Sequence, residues 1–385
     1  MAAIKSANID RIRWCMADRN ITAKELAAVI GVKDEKIDAI LKGEAALSLT
    51  QLKKIAKYFN RGLLFFIARG EVNEKKLRTS GFRTLTNEYP DLDAKIKALM
   101  ERAERQRQIF LSLREELGED EMQIFRPPTI DMEDPKAAAN VVREWLNVND
   151  DRSFDSYRRL IEQKGILVFR SNPYIGPWRV PSESEIEGFS IYHDNYPIIF
   201  VRKREARQRE LFTLAHELGH LILHREGSID SEENIFSVKS REREVNAFAG
   251  HLLVSDDALS RIDDSQRPQN PQYFDVWLRN PARDLGVSVE VLLRRLLDER
   301  RLKKDDYEAY REWKKKRVSS QTGSAPRSYR YREPVSVFGK TFVGTVLEAL
   351  WAKQITITKA SRFLDNIKIT DVHKLEKDFN RFNAL

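Results

Sequence analysis

The sequence predicts a multidomain, mainly α protein: an all-α domain in front, an α+β domain in the middle and a small helical domain at the end. Three observations carry that expectation. The chain has 385 residues, more than one ordinary core accommodates. Its apolar spacing is helical from residue 8 to residue 69 and again near the end. Between these regions, short apolar runs such as "ILVF" and "GFSIYHDNYPIIFV" alternate with helical stretches, as strands do.

Composition narrows the class. With 41% hydrophobic and 33% charged residues, the chain has ample material for burial and reads as soluble and globular. It lacks an apolar run of about 18 residues, and "MAAIKSANID" lacks the charged-then-apolar layout of a signal peptide. The single cysteine, Cys15, excludes an intramolecular disulfide and a cysteine-based zinc site. A cytoplasmic location with no membrane partner is expected. The net charge of +8 admits an acidic partner, nucleic acid first, or simply a solubilising excess of Lys and Arg.

Residues 1–70 form the first domain. Ile9, Ile12 and Met16 make one apolar stripe; Leu26, Ala27 and Ile30 make another, ending at Gly31. "VKDEKIDAILKG" reads as a third helix closed by Gly43, and "SLTQLKKIAKYFN" as a fourth, opened by Ser48 or Thr50. Short helices with a glycine between the second and third mark a helix-turn-helix. The layout "ITAKELAAVIGVKDEKIDAILKGEAALSLTQLKKIAKYF" resembles the DNA-binding domain of phage-repressor-like (XRE-type) regulators. On the third helix Lys33, Lys36 and Lys42 are the candidate DNA contacts. They are interleaved with Asp34, Glu35 and Asp38, which repel phosphate and suit only cytosine N4 among the base edges. Ala23 stands where this class often has Gln. Operator DNA and a docked protein are therefore both expected as alternatives, and any DNA binding by this domain alone should be weak and salt-dependent.

Residues 71–133 read as a charged helical connector with a sparse apolar face, Ile96, Leu99 and Met100, broken by Pro127 and Pro128. The α+β domain spans 134–310: helices at "PKAAANVVREWL" and "SYRRLIEQKG", a strand at "ILVF", a hairpin, then the long helix "RELFTLAHELGHLILH". Residues 311–334 read as a basic linker. The interleaved Arg327, Tyr329, Arg330, Tyr331 and Arg332 could contact single-stranded nucleic acid, although an exposed linker accounts for the same composition. Residues 335–385 form the C-terminal helical domain, with a loose second helix-turn-helix rhythm.

The chemistry concentrates in residues 209–224, which hold three of the six histidines. His216 and His220 stand at i and i+4, one turn apart on one helix face, and can hold a single metal ion. Glu217 is close enough to reach a water on that metal without binding it. Zinc brings the pKa of such a water to about 7, which suits peptide hydrolysis. Leu214, Leu218, Leu221 and Leu223 make the helix buried, where unpaired imidazoles and a carboxylate would be costly. His224 reads as a helix-end cap. A third ligand is needed, and "REREVNAFAGHLL" offers Glu242 and Glu244 at the margins of its stripe, Val245, Phe248, Ala249 and Leu252. Helix geometry alone does not choose between them.

"RELFTLAHELGHLILH" followed by "EVNAFAGHLL" resembles the ImmA/IrrE family of bacterial metallopeptidases over roughly residues 134–300. The resemblance implies a zincin-like (H-E-x-x-H) domain and a zinc endopeptidase. It makes His216 and His220 zinc ligands, Glu217 the general base and Glu244, directly before "VNAFA", the third ligand. Val245 replaces a usual small Ala, and "LLVSDD" lacks the usual proline; neither is a ligand position. Family members cleave a helix-turn-helix repressor and so switch on genes. The implied substrate is such a repressor or a neighbour-encoded partner protein, in a stress-response, mobile-element or toxin-antitoxin setting. The alternative is a DNA-binding, antitoxin-like regulator whose peptidase fold serves as a docking module. The oligomeric state is open, a dimer included.

Overall fold

Chain contacts divide the molecule into two units, Met1–Glu104 and Arg105–Leu385. The computed structural model describes all residues except 1–2, 5–6, 19–20, 60, 62, 69, 71, 73–92, 119–123, 132–133, 149–150, 174–175, 232–239, 316–329 and 384–385.

The first unit begins with β1 (Ala3–Ile4), which pairs antiparallel with β2 (Leu47–Ser48). Its helices are α1 (Ile9–Asp18), α2 (Ala23–Ile30), α3 (Asp34–Lys42), α4 (Leu49–Tyr58) and α5 (Leu63–Ile67). Thr22 and Glu25 close the start of α2 reciprocally: Glu25 N–H donates to Thr22 Oγ1 (3.2 Å) and Thr22 N–H to Glu25 Oε2 (2.8 Å). Gly31, at φ 73°, takes the left-handed turn that ends α2 and sends the chain into α3. Leu26, Ala27, Ile30, Ile37, Ile40, Leu52 and Ile55 are buried together beneath these helices. This is the helix-turn-helix expected from the glycine spacing.

A long helix, α6 (Ala94–Glu116), spans the boundary at Glu104. The second unit continues with α7 (Pro135–Leu146) and α8 (Phe154–Glu162), then a four-stranded mixed sheet. Its strands are β3 (Leu167–Arg170), β4 (Ile186–Ile191), β5 (Ile198–Val201) and β6 (Ser228–Ser231), in the order β3-β5-β4-β6. β3 runs parallel to β5; β4 runs antiparallel to both β5 and β6. The expected hairpin is therefore present, with Phe189 opposite Phe200 and their rings stacked at 4.7 Å. Every residue of β5 is buried, so it reads as a continuous apolar run without alternation.

α9 (Arg207–Gly219) and a π-helical turn (His220–His224) lie between β5 and β6, and α10 (Ser240–Leu253) follows β6. α11 (Val289–Asp298) and α12 (Lys304–Lys315) complete the central core. α12 carries helix into the segment whose composition reads as linker. Buried Tyr307 and Tyr310 hold it down, Tyr310 donating to Asp275 Oδ1 (2.7 Å) and Lys314 Nζ to Asp275 Oδ2 (2.8 Å). Of the interleaved Arg/Tyr set, Arg327 and Tyr329 lie outside the described residues. Tyr331 and Arg332 both donate to Asp378, at 2.9 and 2.7 Å, an intramolecular use of those side chains.

The C-terminal helices are α13 (Glu333–Trp351), α14 (Ile357–Phe363) and α15 (Ile369–Asn383). α13 breaks at Gly339 (φ 84°), a left-handed backbone at which a Cβ would lie 2.0 Å from Glu162 Oε1. The break frees backbone carbonyls, and the buried Arg158 guanidinium donates to those of Ser336 (2.8 Å) and Val337 (3.1 Å) while pairing with Glu162 (3.0 Å). The mainly helical fold with a helix-turn-helix in front, a small mixed sheet in the centre and helices at the end is the predicted class. Among the described residues no helix is long and apolar enough to cross a membrane.

Candidate metal centre

α9 lies against the sheet because Leu211, Leu214 and Leu218 recur at helical spacing and are buried. The same helix therefore carries His216, Glu217 and His220 into the interior: His216 and Glu217 are fully buried and His220 is 5% exposed. Two glycines make room for them. A Cβ at Gly219 would lie 2.9 Å from Val245 and 3.0 Å from Phe248, so the missing side chain lets α10 close onto α9. At Gly188, on β4, a Cβ would lie 2.6 Å from Glu217 Oε1 and 3.0 Å from the Phe200 carbonyl oxygen. That glycine keeps a space for the Glu217 carboxylate.

Four side chains converge. His216 Nε2 and His220 Nε2 are 3.1 Å apart. Asp230 Oδ2, from β6, lies 3.5 Å from the first and 3.4 Å from the second. Glu242, from α10, places Oε2 3.4 Å from His216 Nε2 and Oε1 3.8 Å from His220 Nε2. One donor atom from each lies within 4.8 Å of the others. Metal–ligand bonds of about 2.0–2.1 Å at tetrahedral angles imply donor separations of about 3.3–3.4 Å, close to these values. Two imidazoles with two carboxylates are a donor set that zinc accepts.

The polar bookkeeping also calls for a cation. Among the described residues, Asp230 Oδ1 and both oxygens of Glu217 are buried without a hydrogen-bond partner. Burial disfavours a charged imidazole at His216, but Asp230 and Glu242 outweigh it and raise its pKa to about 9. Burial likewise disfavours the Asp230 carboxylate, yet His216 and His220 hold it well below the usual range. Glu217 is pushed well above its ordinary value, first by burial and then by the charge of Asp230. The pocket is thus an anionic cavity between two imidazoles.

Around the donors, Asn246 Oδ1 lies 3.0 Å from His216 Nδ1. Donation from Nδ1–H to that carbonyl fixes the ring and directs the Nε2 lone pair into the cluster. Ser228 Oγ donates to Asp230 Oδ2 (2.6 Å) and orients it in the same way.

The structure brings together His216, His220 and Glu217 but keeps Glu244 apart from them. Glu244 Oε2 lies 3.7 Å from His224 Nε2, beside the cluster, whereas Glu242 enters it. The physical reason is helix rotation. Glu242 shares a face with Val245, which is buried against Gly219 of α9; two residues on, Glu244 points to another side. Glu242 and Asn246 are also spaced i and i+4, so both reach His216, and that spacing was the sequence signal for Glu242. Asp230 had no motif; its only signal was a polar Ser-x-Asp alternation on an edge strand. In the first unit, Lys33, Lys36 and Lys42 are exposed, together with Asp34, Glu35 and Asp38.

Two other features lie elsewhere in the second unit. His251, Asp256 and Glu299 also cluster, but Lys136 and Arg295 already neutralise the two carboxylates, at 2.8–3.3 Å. A cavity of about 500 Å³, lined in part by Arg158, Arg170, Arg332 and Lys340, shares no residue with the His216 cluster.

Two protein families match parts of the chain. The IrrE N-terminal-like domain, a peptidase family, matches residues 161–297, and the helix-turn-helix family matches residues 12–66. A protein described as "Uncharacterized immunity region protein 2" of Bacillus phage phi105 is 31% identical over 107 residues. That alignment covers 25% of this chain and 66% of the phage protein, just under two thirds of its length.

Proposed function

We propose, on the premise that residues 161–297 belong to the IrrE N-terminal-like peptidase family and residues 12–66 to the helix-turn-helix family, that this chain is a zinc-dependent endopeptidase joined to a regulatory domain. The observation that carries the reading is the buried cluster of His216, His220, Asp230 and Glu242 with the partnerless Glu217 carboxylate beside it. His216, His220 and Glu242 are the residues that would hold the ion. When bound, zinc supplies a Lewis acid that polarises a carbonyl and acidifies water. The chain does the rest. Asn246 aims His216, Gly188 leaves room for Glu217, and Glu217 takes a proton from the attacking water and returns it to the leaving amine nitrogen. Its burial excludes bulk water from that proton transfer.

The substrate in this reading is a helix-turn-helix repressor or a neighbour-encoded partner protein. The similarity to a protein described as an immunity region protein of a phage supports a mobile-element setting. A mobile-element or stress-response locus, with the protein in the cytoplasm, is the fitting context. The second reading is a docking module with a purely structural metal, favoured by one observation: four protein side chains, and not three, converge on the site. Metal content joined to cleavage tests the proposal. The purified chain is expected to retain about one equivalent of zinc and to cut its partner, and a chain that never retains metal rules the enzyme out.

For the first domain we propose DNA contact through Lys33, Lys36 and Lys42, weakened by Asp34, Glu35 and Asp38 on the same exposed surface. Fluorescence anisotropy with duplex DNA should show weak binding that falls steeply between about 50 and 200 mM salt. Tight, salt-insensitive binding would show that base contacts outweigh the acidic residues.

A further inference from the structure

We infer that Asp230 is a fourth protein donor, which closes the metal centre at rest and leaves no position for water until β6 withdraws. The inference rests on the metallopeptidase reading and concerns the regulation of the same site. A catalytic zinc keeps three protein ligands and one open position, whereas a site with four protein ligands is closed. Asp230 occupies the fourth corner. Its Oδ2 stands 3.5 and 3.4 Å from the two Nε2 atoms, as near as Glu242 does and as close as tetrahedral edges require.

Three features separate this from chance proximity. Asp230 is fully buried, so its carboxylate has lost its hydration and needs a cation in return. Ser228 donates to Oδ2, the very oxygen that faces the imidazoles, and Oδ1 has no partner of its own. The charges also balance: two neutral imidazoles and two carboxylates neutralise a divalent ion within a buried site.

The carrier of Asp230 is suited to move. Among the described strands β6 stands at the end of the sheet order, beside β4, and the pairing is irregular between Ile186 and Gly188. Edge segments of this kind open at lower free energy than the sheet centre. His216, His220 and Glu242 sit on α9, its π-helical continuation and α10, which pack face to face and hold their three donors when β6 leaves.

The test uses the full chain loaded with Co(II), whose visible absorption reports coordination, with azide as the probe for an open position. The wild-type spectrum is expected to be four-coordinate and unchanged by millimolar azide. Asp230→Ala and Asp230→Asn should still load Co(II), bind it about tenfold or more weakly, and shift their spectra on azide addition. The Asn variant preserves side-chain size, so it serves where the Ala variant melts non-cooperatively. A wild-type spectrum that responds to azide as the variants do overturns the inference while leaving an open, three-ligand peptidase site intact. Variants that match the wild type in affinity and spectrum overturn it as well. A wild-type chain that takes up neither Co(II) nor Zn(II) removes both the inference and the reading beneath it.

Discussion

Glu217→Gln is expected to leave the metal content of the protein unchanged and to lower cleavage by about 10²–10⁴-fold, the usual contribution of a positioned acid–base group. Glu217 lies one residue along α9 from His216, but its oxygens are not among the converging donors. It is fully buried, and among the described residues neither oxygen has a hydrogen-bond partner that would hold it in another role. Glutamine has the same size and fits the space that Gly188 leaves, but it cannot accept a proton. Thermal stability should hold or rise, because a buried ionisable group is replaced by a neutral one. Metal analysis, melting temperature and cleavage of the partner that the wild type cuts decide the matter. Loss of metal on this substitution would make Glu217 a ligand; unchanged cleavage would remove it from the reaction.

What was legible in the sequence depended on how local the causes are. The H-E-x-x-H spacing lies within one helix, and the i, i+4 rule alone puts His216 and His220 on one face, where the structure has them. The front helices were equally readable, because Gly31 and Gly43 end α2 and α3 in the left-handed conformation that glycine adopts easily. The β4–β5 hairpin followed from its two apolar runs. Asp230 was not legible. A lone aspartate in "SIDS" becomes a site residue only because β6 adds to the edge of β4 and delivers it to α9, a contact between segments that no local pattern encodes. The extent of α12 was hidden from composition for a related reason. A charged run is helical up to Lys315 because Tyr310 and Lys314 meet a distant Asp275. The acidic choice on α10 lay between these cases: its stripe was readable, but which margin faces α9 was not.

That choice yields the second large effect. Glu242→Ala is expected to strip the metal, and Glu244→Ala to keep it. Glu242 reaches both Nε2 atoms, at 3.4 and 3.8 Å, and its Oε2 is buried. Removing it takes one of the two carboxylates that balance a divalent ion and should weaken metal affinity by at least the 10–100-fold typical of lesser, outer contacts. The metal-dependent gain in melting temperature should shrink accordingly, since a ligand stabilises the fold only in proportion to its binding. Glu244 instead faces His224 at 3.7 Å, and its side chain is 34% exposed. Loss of that contact leaves the four converging donors in place. Family resemblance alone points the other way, to Glu244 directly before "VNAFA", so the two alanine variants separate the resemblance from the geometry. Dialysis of each against a chelator, followed by metal analysis, gives the answer. If Glu244→Ala empties the site and Glu242→Ala does not, α10 must turn by the two-residue rotation that divides them when the ion binds. Val245 and Phe248 would then leave their contact with α9, and the close approach at Gly219 would be lost.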